Sequence, residues 1–71
     1  MIEIFSTNIK NVKEANIISG LIHLCFPNIH ANFDLYDIEP ILRVEFKVGS
    51  VDVKTLMSYV TSLGYDIKPI A

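Results

Sequence analysis

The chemistry available to this chain rests on few groups: one cysteine, two histidines and eight carboxylates among 71 residues. Cys25 and His23 look like a ligand pair. On a helix, however, two residues span a turn of roughly 200°, so the two side chains face opposite ways. Cys25 falls on an apolar row and is expected to be a small buried hydrophobe. His23 falls on the polar side and is expected in solvent, and His30 is expected in the loop that follows. No serine or cysteine stands beside a histidine with an orienting acid, so no nucleophilic constellation is spelled out. Glycine occurs only at positions 20, 49 and 64, too dispersed for a phosphate loop. Neither an enzyme nor a bound cofactor is expected.

One further pattern carries a defined physical role. Asn11-Val12-Lys13-Glu14 places a capping residue three positions before an acid, as in a capping box. Asn11 would accept from the Glu14 backbone N–H while Glu14 reaches back to Asn11. Such a cap stabilises a helix start by about 1 kcal/mol. The rival use of Glu14 is as an oxygen ligand of a hard cation, together with Asp37 and Glu39. The chain has no dense carboxylate loop of the calcium-binding type.

These residues are positioned by six short elements. Met1 to Thr7 alternates with period two, Ile2 and Ile4 on one side and Glu3, Phe5 and Thr7 on the other. From Val12 the period becomes helical: Val12, Ala15, Ile18, Ile22, Cys25 and Phe26 form one row, and Ile17, Leu21 and Leu24 a second. Together the two rows cover roughly 200°, wider than an ordinary surface helix. The second row is expected to pack on the second helix, or else to form an exposed patch that pairs with another chain. Pro27-Asn28 stops this helix.

A second strand is expected over Asn32 to Tyr36, then a turn at Asp37-Ile38-Glu39-Pro40. Ile41 to Val48 alternates most strictly, with Leu42, Val44, Phe46 and Val48 against Arg43, Glu45 and Lys47. Gly49-Ser50 breaks it. Asp52, or Ser50, is the N-cap of a second helix with the stripe Val53, Leu56, Met57, Val60 and Leu63. Gly64 suits the left-handed residue after that helix, and Tyr65 the hydrophobic contact that follows. Ile67 to Ile70 forms a last strand, placed at a sheet edge by Pro69.

The order β-α-β-β-α-β predicts a ferredoxin-like α+β sandwich, one domain over residues 1–71. Its four-stranded antiparallel sheet has the order 4-1-3-2, with both helices on one face. In this topology the β1-α1 loop, the β2-β3 turn and the α2-β4 loop share one end. That end is expected to gather Asn11, Glu14, Asp37, Glu39, Tyr65 and Asp66, with Lys10 and Lys13 beside them.

Thr7-Asn8-Ile9-Lys10 opening the first helix, Ile41-Leu42-Arg43-Val44-Glu45 as the third strand and Leu63-Gly64-Tyr65 closing the second helix resemble the heavy-metal-associated domain. This is the fold of small copper chaperones and of the N-terminal modules of metal-transporting ATPases. The resemblance covers nearly the whole chain, through motifs of moderate specificity. The family binds soft ions such as Cu(I) through a Cys-x-x-Cys loop at the start of its first helix, where the dipole helps to keep the thiolates ionised. Those two positions fall here on Asn11 and Glu14, neither of which supplies a thiolate. The resemblance therefore implies the family's fold with its metal motif replaced, and a soft metal ion is not an expected ligand. Asn11, Glu14 and Tyr65 mark the equivalent loop end as the candidate binding site, and no metal ligand is assigned.

Composition narrows the partners. The chain is 51% hydrophobic with a net charge of −2, which opposes disorder and offers no excess of positive charge for phosphates. RNA-recognition domains share this topology but stack bases on aromatics of strands one and three. Phe5 is a candidate for such an outward position, whereas the outward row of strand three offers Arg43, Glu45 and Lys47 and no aromatic. Nucleic acid is not an expected partner. No apolar run approaches the ~18 residues of a membrane span, and the first residues lack the pattern of a signal peptide. A single cysteine fits a cytoplasmic protein. The expected function is that of a small binding domain acting on a protein partner or on a second copy of itself. The alternatives are residual metal binding through oxygen ligands and a dimeric small-molecule sensor, the latter weakened by a first loop without glycine.

Overall fold

The computed structural model describes residues 1–36, 38–47 and 52–70. Its elements are β1 (Ile2–Thr7), α1 (Val12–Cys25), β2 (Ile29–Asp34), β3 (Ile41–Phe46), α2 (Val53–Ser62) and β4 (Ile67–Pro69). All strand pairs are antiparallel and the sheet order is β2-β3-β1-β4, which is the predicted order read from the opposite edge. The fold is α+β, as expected. Asp37, Val48, Gly49 and Ser50, which figured in the expected turn, strand end and capping alternatives, lie outside the described residues.

Strand register decides which face of β1 is buried. Phe5 stands opposite Leu42 and Glu3 opposite Val44, so the Phe5 row shares the inner face of β3. Phe5 is fully buried in the core and so does not take the outward position for which it was a candidate. Ile2 and Ile4 lie opposite Glu45 and Arg43 on the outer face and are exposed. β3 behaves as its alternation predicts: Leu42, Val44 and Phe46 are buried while Arg43 and Glu45 are in solvent.

β2 begins earlier than predicted and ends earlier. The Phe26 carbonyl accepts the Ile29 N–H at 3.3 Å, so the strand starts as soon as the chain clears Pro27. It ends where the Asp34 carboxylate accepts the Tyr36 N–H at 3.0 Å, a local turn that competes with the ladder. Its inward residues are Ile29, Ala31 and Phe33, and His30 belongs to the strand rather than to a loop.

α1 buries only Ala15, Ile18 and Ile22. Val12, at its start, is exposed. At its last turn Cys25 is exposed too, contrary to expectation. In the second row Ile17 is 54% exposed and Leu24 77%, with Leu21 half-buried against the core. That row therefore does not pack on α2. At 100° per residue Ile17 and Leu24 stand roughly 140° around the helix from the buried row, too far to reach the sheet or the neighbouring helix.

α2 buries Leu56 and Val60 and packs Val53, Met57 and Leu63 against the same core. Asp52 caps it, accepting the Thr55 N–H at 2.8 Å. Gly64 follows with φ of 96°, a left-handed conformation that the absence of a Cβ makes inexpensive. Ile9, within the polar β1-α1 connection, is fully buried and anchors that loop. β4 is an edge strand, so the missing N–H of Pro69 costs no ladder bond.

Candidate functional site

The loop end is built by three local devices. The first is the cap of α1. Asn11 has extended backbone angles, φ −104° and ψ 132°, which free its side chain to turn onto the helix start. Its Oδ1 accepts the Lys13 N–H at 2.8 Å and the Glu14 N–H at 3.2 Å. This is the predicted half of the capping box.

The second device departs from prediction. Instead of returning to the Asn11 backbone, the Glu14 carboxylate takes a proton donor from the far end of the chain: the Tyr65 hydroxyl donates to Glu14 Oε2 at 2.7 Å. Gly64 makes this possible, because its left-handed turn aims Tyr65 back across the start of α1. The Glu14 hydrogen bond, followed by partial desolvation and the carboxylate's charge, pushes the Tyr65 hydroxyl above its ordinary value of 10.0. The third device ties the same two connections a second time. Asn8 Oδ1 accepts the Asp66 N–H at 2.9 Å, and Asn8 Nδ2 donates to the Asp66 carboxylate at 3.4 Å.

Asn11, Glu14, Tyr65 and Asp66 therefore meet at one end, with Asn8 as the member that the sequence reading passed over. The polar groups there are largely turned on each other. A groove of about 350 Å³ runs beside them, lined by Ser6, Thr7, Asn8, Asp66, Ile67 and Lys68. The Thr7 N–H donates to the Pro40 carbonyl at 3.1 Å, which brings the β2-β3 connection to this end as well. Even so, Glu14, Glu39 and Asp66 do not form a ligand group: among the described residues no three His, Cys, Asp or Glu side chains converge on a point where a cation would sit. Asp37, the third member of the proposed oxygen set, lies outside the described residues.

Two other clusters carry polar chemistry away from this end. The Cys25 thiol donates to the Tyr59 hydroxyl at 3.3 Å, linking α1 to α2. Phe26 packs edge-on against the Tyr59 ring with centroids 5.3 Å apart. The hydrogen bond with Cys25, followed by partial desolvation and the electrostatic influence of the same side chain, pushes the Tyr59 hydroxyl above its ordinary value of 10.0. His23 is half-buried rather than solvated, and its Nε2 accepts the Ala31 N–H at 3.0 Å. Neither contact has a local signature, since the partners are 34 and 8 residues apart in the chain.

The exposed side of α1 carries two aliphatic side chains, Ile17 and Leu24. Between Ile17 and Leu24 lies Gly20, where an added Cβ would meet nothing within 4 Å. No protein-family model matches this chain, and it has no significant similarity to a curated protein or to a solved structure. Among the described residues no helix is long and apolar enough to cross a membrane.

Proposed function

We propose that this chain is a small non-enzymatic interaction module, similar to a heavy-metal-associated domain, in which Asn11 and Glu14 stand where that family carries its thiolates. The observation that carries the reading is the outer side of α1. Leu24 and Ile17 are exposed on one side of a helix, with Gly20 between them. A glycine in a helix interior destabilises the helix by roughly 0.5–1 kcal/mol relative to alanine. Between two exposed aliphatic side chains it leaves a notch into which a partner's backbone or bulky side chain fits closely. The loop end supports the same reading from the other direction. Its carboxylate and phenol are engaged with each other, and Asn8 with Asp66, so the polar groups are spent on joining two loops of the chain itself.

The occupant proposed for the α1 face is a protein surface. Sedimentation of the tagged protein in an extract of its native cell tests this. Wild type is expected in a species larger than the 8.0 kDa chain, and Leu24→Glu, which places a charge on the face without touching the core, is expected to run free. Identical sedimentation of the two would remove the α1 face from consideration. Purified wild type that enlarges with its own concentration identifies the partner as a second copy.

A further inference from the structure

β2 forms one edge of the sheet, and an uncovered edge is where a further strand pairs. The N–H groups of Ile29 and Ala31 leave the sheet, the first to the Phe26 carbonyl and the second to His23 Nε2. Antiparallel ladders alternate, so the Phe33 N–H points the same way. Two of three outward donors along this edge are thus closed from within the chain, and one of the two closures is a titratable side chain.

The closure requires a defined form of the ring. To accept at Nε2, His23 must be neutral with its proton on Nδ1. Nδ1 lies 3.5 Å from Ser19 Oγ, one turn back on α1, where that proton finds an acceptor. An imidazolium carries N–H groups at both positions and has no lone pair to offer. Charging the ring would set its Nε2–H against the Ala31 N–H, donor to donor.

Titratable groups stand on each of the elements around the ring. From β2 the His30 ring faces it, centroids 5.9 Å apart. Glu45 on β3 stands opposite His30 in the ladder, on the outer face of the sheet. Cys25 on α1 and Tyr59 on α2 are bonded to each other.

We propose that His23 is a proton-operated latch on the β2 edge: its neutral ring closes the Ala31 amide and ties the last turn of α1 to the strand, and protonation opens both. Histidine is the side chain that ordinarily changes charge between about pH 5 and pH 8, which sets the range over which the latch is tested. The proposal does not rest on the α1 partner: His23 stands about 100° around the helix from Leu24 and faces the β2 edge.

Ring and amide ¹⁵N spectra across about pH 8 to pH 5 test it on the unmodified protein. The expected result is a His23 ring protonated on Nδ1 at the upper limit. The Ala31 amide shift should follow the ring's titration, and its exchange protection should fall by about fivefold, the value of one net hydrogen bond. His23→Gln, whose side-chain oxygen accepts without titrating, is expected to flatten the Ala31 response, whereas His30→Gln preserves it. A His23 ring protonated on Nε2 at the upper limit overturns the latch, as does an Ala31 amide that titrates equally in His23→Gln. The tautomer is read from wild type, so the proposal stays decidable even if His23→Gln fails to fold.

Discussion

Replacing Gly20 by alanine separates the demands of the fold from those of binding. Gly20 lies in the interior of α1, exposed to solvent, and its added methyl group meets no atom within 4 Å. Its backbone is helical and has no positive φ to protect, unlike Gly64. The methyl therefore introduces no clash, and it removes the conformational freedom that glycine has in the unfolded chain. Helix propensity puts the gain at about 0.8–1 kcal/mol. For a domain of this size each kcal/mol raises Tm by about 4–8 °C. Urea and thermal unfolding monitored by circular dichroism measure it. The denaturant midpoint and Tm should rise with an unchanged slope. A midpoint that stays or falls would refute the reasoning, because it would mean that position 20 is strained or covered in the isolated chain. The same variant should bind the α1 partner less tightly, since the methyl fills the notch between Ile17 and Leu24. Opposite signs for stability and association are what an interface role for that glycine requires.

Four further outcomes follow from the same geometry. Asn11→Ala should lower stability by about 1 kcal/mol, read as a lower denaturant midpoint, because two backbone N–H groups lose their acceptor. The Tyr65 hydroxyl is raised above 10.0 in the folded state, so the contribution of its bond to Glu14 is present below pH 10.0 and lost as pH rises through the raised value. Phenolate absorbance should show Tyr65 returning toward its ordinary value in Glu14→Ala. Asp52 is held below 3.8, first by the Thr55 backbone N–H and then by the Thr55 hydroxyl, so its capping contribution is present above 3.8 and lost as pH falls through the depressed value. Acid unfolding of Asp52→Asn should lack that component. Finally, Asn11→Cys combined with Glu14→Cys should gain Cu(I) binding on titration, and equal affinity in wild type would contradict the view that these positions have lost a thiolate site.

Most of the architecture was legible because independent signals agreed. The alternation of Leu42, Val44 and Phe46 placed β3 centrally, and Pro69 placed β4 at an edge, which together leave few sheet orders. Gly64 marked the end of α2, where the structure has its left-handed residue. The first strand was ambiguous for a physical reason. Both its faces carry large apolar residues, and only the register against β3 selects Phe5 over Ile2 and Ile4. The apolar arc of α1 was likewise wider than the surface available to it. Periodicity shows the arc, but the sheet and α2 together cover only Ala15, Ile18 and Ile22 fully, leaving Val12 and Cys25 exposed near the helix ends. His23 and Cys25 were misplaced because a helical wheel knows nothing of β2 or Tyr59. At the candidate site the cap by Asn11 was readable from four consecutive residues. The diversion of Glu14 to Tyr65 was not, because it joins residues 51 apart.

An interaction surface on α1 is defined by where a partner touches this molecule. A photoreactive amino acid placed at Leu24, on the exposed side of α1, should cross-link one defined protein or a second copy of the chain in the native cell. The same group at Thr61, exposed on α2, should give only diffuse products. Equal yields and the same products from both positions would contradict an interaction surface on α1.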